Sequence, residues 1–125
     1  MLSDLEIYAV LPATDLQRAR GFYKDKLGME PTDERPDGLV YQTPKGTKIL
    51  LYETAYAGTA QSTAMSWTAT DLDAEMAELR SRGVVFEEYD FPGLKTENGV
   101  ATAEGFRGAW FKDTEGNILA VGEEL

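Results

Sequence analysis

The side chains of this chain that could do chemistry are carboxylates, phenols and amines, because its 125 residues include neither histidine nor cysteine. Proton transfer at neutral pH would then need a carboxylate with a raised pKa, or a Tyr or Lys with a lowered one. Glu6 and Tyr8 are two residues apart on one predicted strand, and Glu53 ends another. These three are the weak catalytic candidates. The simpler interpretation is that the carboxylates are solvated strand-end charges.

Aromatic side chains point to binding. Because successive strand residues face opposite sides of a sheet, Tyr8, Tyr52 and Trp110 are predicted to share one face. Ser66 adds a hydroxyl group to that face, whereas Ile7, Ile49, Leu51 and Leu119 are predicted to face the helices. A concave apolar surface with a few polar groups is typical of a small-molecule site. The alternative is that these aromatic side chains fill an ordinary core.

Composition narrows the classes of partner. The net charge of −10 disfavours nucleic acid and anionic membranes, and it suits a cationic small molecule. No apolar run approaches the roughly 20 residues that span a bilayer. The first residues are acidic where a signal peptide would be basic. Together with the absence of cysteine, this predicts a cytoplasmic protein.

A repeated tetrapeptide predicts two similar modules. Ala13-Thr14-Asp15-Leu16 recurs as Ala69-Thr70-Asp71-Leu72, each copy following a strand-like run and opening an amphipathic helix. Asp15 and Asp71 are predicted N-caps, and Gly28 and Gly83 end the helices. Strands are expected at residues 5–11, 39–43, 47–53, 64–68 and 84–88, with a final hairpin at 107–122. Residues 89–99 are predicted to be a long loop over a pocket mouth.

The order of these motifs resembles the vicinal oxygen chelate superfamily, which includes glyoxalases, bleomycin resistance proteins and extradiol dioxygenases. The resemblance rests on residues 13–29, with Phe22-Tyr23 and Leu27-Gly28, and on the hairpin from Trp110 to Leu119. It implies an α+β fold in which two βαβββ modules form a curved, mixed, mostly antiparallel sheet around a cup, with the helices outside. The chain would be a single domain, residues 1–125, with module 1 at about 1–54, a linker at 55–62 and module 2 at about 63–125.

The resemblance also implies where metal ligands would lie. The family's four ligand positions fall on Tyr8, Leu50, Ala64 and Ala120. Three of these carry no side-chain donor and a neutral phenol is a poor one, so no metal and no cofactor is expected. The predicted ligand-binding residues are therefore Tyr8, Leu50, Tyr52, Ala64, Ser66, Trp110 and Ala120.

Three functions remain open at this point. The first is metal-independent binding of an aromatic or cationic small molecule, by a protein that the resemblance implies is a homodimer. The second is a glyoxalase-like lyase, isomerase or dioxygenase acting without the usual metal site, and the third is a structural or regulatory dimer. Two arrangements of the cup are open, one within a single chain and one shared across a dimer. Arg107, Lys48 and Lys95 are possible anion contacts. The simpler interpretation is that they are surface charges that balance nearby acidic residues.

Overall fold

A computed structural model describes residues 1–125 as an α+β fold made of two modules. In the first module a strand and a helix are followed by three strands, and in the second by five. The elements are β1 (Ala9–Ala13), α1 (Leu16–Leu27), β2 (Asp33–Arg35), β3 (Gly38–Gln42), β4 (Lys48–Glu53), β5 (Thr63–Thr68), α2 (Leu72–Ser81), β6 (Asp90–Phe91), β7 (Leu94–Glu97), β8 (Val100–Ala103), β9 (Phe106–Lys112) and β10 (Ile118–Glu124). Neither helix has the length and apolar character needed to cross a membrane.

The strands form two separate sheets with equivalent topology. The first sheet has the order β1-β4-β3-β2 and the second β5-β10-β9-β8-β7-β6. In each, the opening strand runs parallel to the last strand, because a helix crosses over between them, and every other pair is antiparallel. This confirms the predicted fold class, with two unbonded sheets in place of one continuous sheet.

Both helices begin at the predicted Asp caps, and α1 ends at Gly28, whereas α2 ends at Ser81 with Arg82 as its C-cap, one residue before the predicted Gly83. The side chain of Asp15 accepts a hydrogen bond from the Arg18 amide, and Asp71 does the same for Ala74, each at 3.0 Å. Gly28 ends α1 with a φ of 68°, a left-handed conformation that glycine adopts without a Cβ clash. The repeated tetrapeptide is therefore a pair of helix N-caps.

One core joins the two modules. Sixteen buried residues form a single cluster that takes side chains from both sheets and both helices. Alternation along the strands places Leu11, Leu51, Leu119 and Phe111 on the core side, each at most 1% exposed. The face of each sheet that is turned away from this core is called its open face below.

The strand prediction is wrong in three places. Residues 5–8 are irregular and Ile7 is 85% exposed, because the pairing of β1 with β4 starts only at Ala9. Residues 84–88 form no strand, and their one ladder-like bond is from the Glu87 amide to the Trp110 carbonyl. β2 was not expected, since its residues are all polar and exposed.

Residues 89–99 are not the long loop that the sequence predicted. They fold as the β6–β7 hairpin and lead into β8 through a turn at Asn98 and Gly99, which widens the second sheet to six strands. The Asn-Gly pair marks this turn because both residues have positive φ angles. The segment extends the sheet edge, and its aromatic side chains reach the open face.

Candidate functional site

The open face of the first sheet carries three of the predicted binding residues, Tyr8, Leu50 and Tyr52. Tyr8 and Leu50 line one cavity of about 420 Å³. Its polar groups come from Thr32, Asp33, Arg35, Gln42 and Lys48. Tyr8 is 44% exposed, so its ring is available to a ligand. Tyr52 lies farther along β4, paired with Pro12 of β1.

The open face of the second sheet carries the other four. Strand register places Ser66, Ala120 and Trp110 side by side in one row across β5, β10 and β9. Ala64 lies two residues before Ser66, and both are exposed. The indole Nε1 of Trp110 donates a hydrogen bond to Thr63 Oγ1 at 3.1 Å. The indole therefore crosses β10 towards β5, and its polar atom is already satisfied.

Phe106 extends this aromatic surface, and it was missed at the sequence level. A Cβ placed on Gly108 or on Gly122 would lie 2.9 Å and 2.8 Å from carbon atoms of the Phe106 ring. The ring therefore lies flat over these two glycines, with 41% of the residue exposed. The alternation of Phe106, Gly108 and Trp110 along β9 was the available signal, because it puts all three on one face.

Two more aromatic residues continue the surface towards the β6–β7 hairpin. Tyr89 packs edge-on against Trp110, with ring centroids 5.8 Å apart, and Phe91 follows at 5.6 Å from Tyr89. Such edge and tilted contacts are the preferred geometries of aromatic pairs. Phe91, Tyr89, Trp110 and Phe106 form what we call the aromatic row.

The structure thus collects the seven predicted binding residues into two groups. The cavity of about 420 Å³ that Tyr8 and Leu50 line contains no residue of the second group. The two open faces meet at the edge strands β1 and β5, where a smaller cavity of about 190 Å³ is lined by Val10, Pro12, Tyr56, Ala64 and Ile118 among others. The assignment of a ligand to these residues remains a prediction.

The catalytic candidates do not converge on one point. The Glu6 carboxylate lies 3.4 Å from the Lys48 ammonium group, beside the cavity that Tyr8 lines. Glu53 lies on the other side of the first sheet, where it lines a groove with Leu16 and Gln17 at the start of α1. A mechanism that uses Glu53 and Tyr8 together therefore has no geometric basis.

The possible anion contacts are also dispersed. The Arg107 guanidinium binds Asp73 at 2.8 Å and Glu123 at 3.2 Å on the helix side of the second sheet. Arg107 lowers the pKa of Asp73, chiefly through the hydrogen bond that it donates and then through its charge. Lys95 lines a polar groove on that same side. Only Lys48 lines a cavity on an open face.

A buried carboxylate joins the two modules and fixes the relation of their sheets. Glu115, in the turn between β9 and β10, has a side chain that is 0% exposed. It accepts hydrogen bonds from the Thr14 and Asp15 amides, each at 2.9 Å, and from Arg18 Nε at 2.9 Å. Burial alone raises the pKa of Glu115, but these bonds outweigh it and bring the pKa down to about 2.

The same turn is fastened a second time. Tyr23 of α1 donates its hydroxyl hydrogen bond to Asp113 Oδ2 at 2.8 Å, and Asn117 Nδ2 donates to the Pro12 carbonyl at 2.9 Å. Burial, followed by the Asp113 charge, raises the pKa of Tyr23, so the phenol remains a donor. Asp113, Glu115 and Asn117 of the β9–β10 turn thus hold the second module to the first.

The two-module fold agrees with the protein family that the sequence matches. A family model described as the glyoxalase/bleomycin resistance protein/dioxygenase superfamily matches residues 7–121. The chain belongs to this superfamily. No curated protein sequence matches the chain.

Crystal structures of superfamily members show the same fold. A glyoxalase/bleomycin resistance protein from Catenulispora acidiphila is 28% identical, with a TM-score of 0.68 and coverage of 97% of this chain and 99% of that one. A glyoxalase/bleomycin resistance protein/dioxygenase from Alicyclobacillus acidocaldarius is 20% identical, with a TM-score of 0.71 and coverage of 98% and 92%. A lactoylglutathione lyase from Agrobacterium tumefaciens is 20% identical, with a TM-score of 0.67 and coverage of 95% and 92%.

The metal-ligand positions of the superfamily do not fit a metal in this chain. They hold Tyr8, Leu50, Ala64 and Ala120, of which only Tyr8 has a side-chain donor atom. In residues 1–125 no group of three or more Asp or Glu side chains is arranged to hold a metal ion. These four side chains do not form a donor set that could hold a divalent cation.

Proposed function

We propose that this chain binds a small, partly aromatic organic molecule on its open faces, without a metal ion. The proposal rests on the aromatic row. Its rings are partly exposed on the open face and lie beside Ala120, which has no side-chain donor atom. Aromatic surface and shape can hold a planar molecule where no coordinating atoms exist. The net charge of −10 favours a ligand that is neutral or cationic, because an anion would be repelled.

The two tryptophans allow the proposal to be tested site by site. Trp110 lies on the open face, whereas Trp67 stacks on buried Phe111 at 6.3 Å between centroids, on the core side of the second sheet. In a Trp67→Phe chain, Trp110 is therefore the only indole, and it reports binding at the aromatic row. A panel of planar amines, neutral aromatics and aromatic carboxylates is titrated while its fluorescence is recorded.

The first prediction concerns Trp110 itself. We expect Trp110→Ala to weaken the tightest-binding panel compound by roughly tenfold, because the loss of an aromatic partner and of buried ring area costs on the order of 1 kcal/mol or more. Calorimetry measures the affinity. Val85→Ala, which changes an exposed apolar side chain outside the aromatic row, is the matched control and should bind as the unaltered chain does. Equal affinities of the Trp110→Ala chain and the control would contradict the aromatic row as the site.

We further propose that the chain forms a homodimer through the segment that precedes β1. Leu2, Leu5 and Ile7 are 77%, 61% and 85% exposed, and the adjoining Val10 is 51% exposed. Exposed apolar side chains clustered in one short segment mark an interaction surface. They lie beside β1, an edge strand of the first sheet, so a second copy seated there would also border the open faces.

The compartment that we propose for this chain is the cytoplasm.

The second prediction tests this interface. Ile7→Glu should weaken self-association by about tenfold or more, because a charge would have to be buried at an apolar contact. Sedimentation equilibrium measures the dimer dissociation constant. Val85→Glu, which alters another apolar residue that is 81% exposed, is the matched control. A chain that is monomeric without any substitution would refute the dimer.

A further inference from the structure

A second apolar cavity lies on the helix side of the molecule, away from both open faces. It measures about 270 Å³ and is bounded by the end of α1, by α2 and by the second sheet. Phe111 and Val121 lie at its base and are 1% and 5% exposed. Leu27, Met29, Trp67 and Leu79 line it as well, and each is only partly buried. We call this space the interhelical pocket.

The size of the interhelical pocket excludes a simple packing defect. Protein interiors are packed to crystal-like density, with few voids larger than a water molecule. An apolar cavity of about 150 Å³ accommodates one benzene. The interhelical pocket is nearly twice that volume, so it has room for one ring and a short side arm. Its mouth is open to solvent, so a small molecule can enter without unfolding the core.

The polar groups of the pocket select the charge of its occupant. The lining contains one ionisable side chain, Glu75, and also includes Thr43 and Thr68. No lysine or arginine lines it, and Glu75 takes part in no ion pair in residues 1–125. The indole of Trp67 presents a π surface that attracts a cation. An unpaired carboxylate beside apolar walls suits an ammonium group attached to a hydrocarbon.

We propose that the interhelical pocket is a second ligand site, which takes a small apolar amine of about one ring in its protonated form. The hydrocarbon contacts Trp67, Leu27 and Leu79, and the ammonium group pairs with Glu75. The site is independent of the open faces, so it holds or fails separately from the function proposed above.

The test uses Trp67 as the reporter and 2-phenylethylamine as the probe. In a Trp110→Phe chain, Trp67 is the only indole, so any saturable change in its fluorescence arises at the interhelical pocket. The carboxylate 3-phenylpropionate and the neutral 2-phenylethanol have nearly the same shape and serve as charge controls. We expect saturable binding of the amine, weaker binding of the alcohol and no binding of the carboxylate.

Two substitutions locate the contacts. Glu75→Gln removes the charge from an exposed position with little change in shape, and it should weaken the amine by about two- to fivefold, the range of an exposed ion pair. Glu104→Gln, at an exposed turn, is the matched control and should have no effect. Leu79→Phe fills the cavity and should abolish binding, and thermal unfolding of this variant verifies that it is folded.

Three results would overturn the proposal. The first is the absence of a saturable Trp67 response to any of the three probes. The second is equal binding of the amine and the carboxylate, which would remove the role of Glu75. The third is a Trp67 response that follows protein concentration instead of probe concentration, which would show that a second copy of the chain covers the pocket.

Discussion

Glu115→Gln is expected to lower the free energy of unfolding by about 3 kcal/mol at pH 7. The ordinary pKa of a glutamate is 4.5 and that of Glu115 is about 2, and a difference of this size corresponds to that free energy. The carboxylate has no exposed surface, so solvent does not screen its bonds to Arg18 and to the Thr14 and Asp15 amides. Urea denaturation measures the effect.

The same carboxylate gives stability a defined pH dependence. Because the pKa of Glu115 is lower in the folded state than in the unfolded state, its contribution is complete above about pH 4.5 and is lost as the pH falls towards about 2. The Glu115→Gln chain lacks this group, so its stability should fall less over that interval. The difference between the two chains should therefore shrink as the solution is acidified.

Glu124→Gln provides the matched control, since Glu124 is exposed at the end of β10 and takes part in no ion pair. Its unfolding free energy should change by no more than about 0.5 kcal/mol. If the Glu115 and Glu124 variants were equally stable at pH 7, the turn between β9 and β10 would not be the fastener between modules.

Gly58→Ala is expected to cost about 2 to 4 kcal/mol, although Gly58 lies in an irregular segment between the modules. Its φ of 74° is left-handed, and a Cβ there would lie 2.6 Å from the carbonyl oxygen of Glu115. Backbone cannot move aside as a flexible side chain can, so steric overlap adds to the conformational strain. Thermal or urea unfolding measures the loss.

Gly105→Ala separates these two contributions. Gly105 has a similar φ of 77°, but nothing lies within 4 Å of the position its Cβ would take. It should lose only the strain of a left-handed alanine, about 1 to 2 kcal/mol. If Gly58→Ala cost no more than Gly105→Ala, the contact between the linker and the β9–β10 turn would have no energetic role.

Local signals made much of the fold predictable. Asp15, Gly28 and Asp71 define helix boundaries through hydrogen bonds or dihedral angles within a few residues, so no knowledge of the tertiary fold was needed. The β6–β7 hairpin was missed although it and the β7–β8 pair join neighbours along the chain, Asp90 with Lys95 and Thr96 with Ala101. The strands β6 and β7 have only two and four residues, too few for the alternation of apolar and polar side chains that identifies a strand.

The candidate site was predictable in part for the same reason. Alternation along a strand correctly grouped Ser66, Trp110 and Ala120 on one face. It gave no information on the separation of the two sheets, which divides the predicted binding residues into two groups. The position of Phe106 over Gly122 depends on the register of β9 against β10, and that register is a tertiary property.

The measurement that bears most directly on this account is the affinity of the best panel compound for the Trp67→Phe chain, first in excess chelator and then with added Ni²⁺, Mn²⁺ or Zn²⁺. Recognition by the aromatic row needs no coordinated ion, so the dissociation constant should be the same in both conditions. Binding that disappears in chelator and returns with the metal would contradict the account, because Leu50, Ala64 and Ala120 offer nothing that could hold the ion.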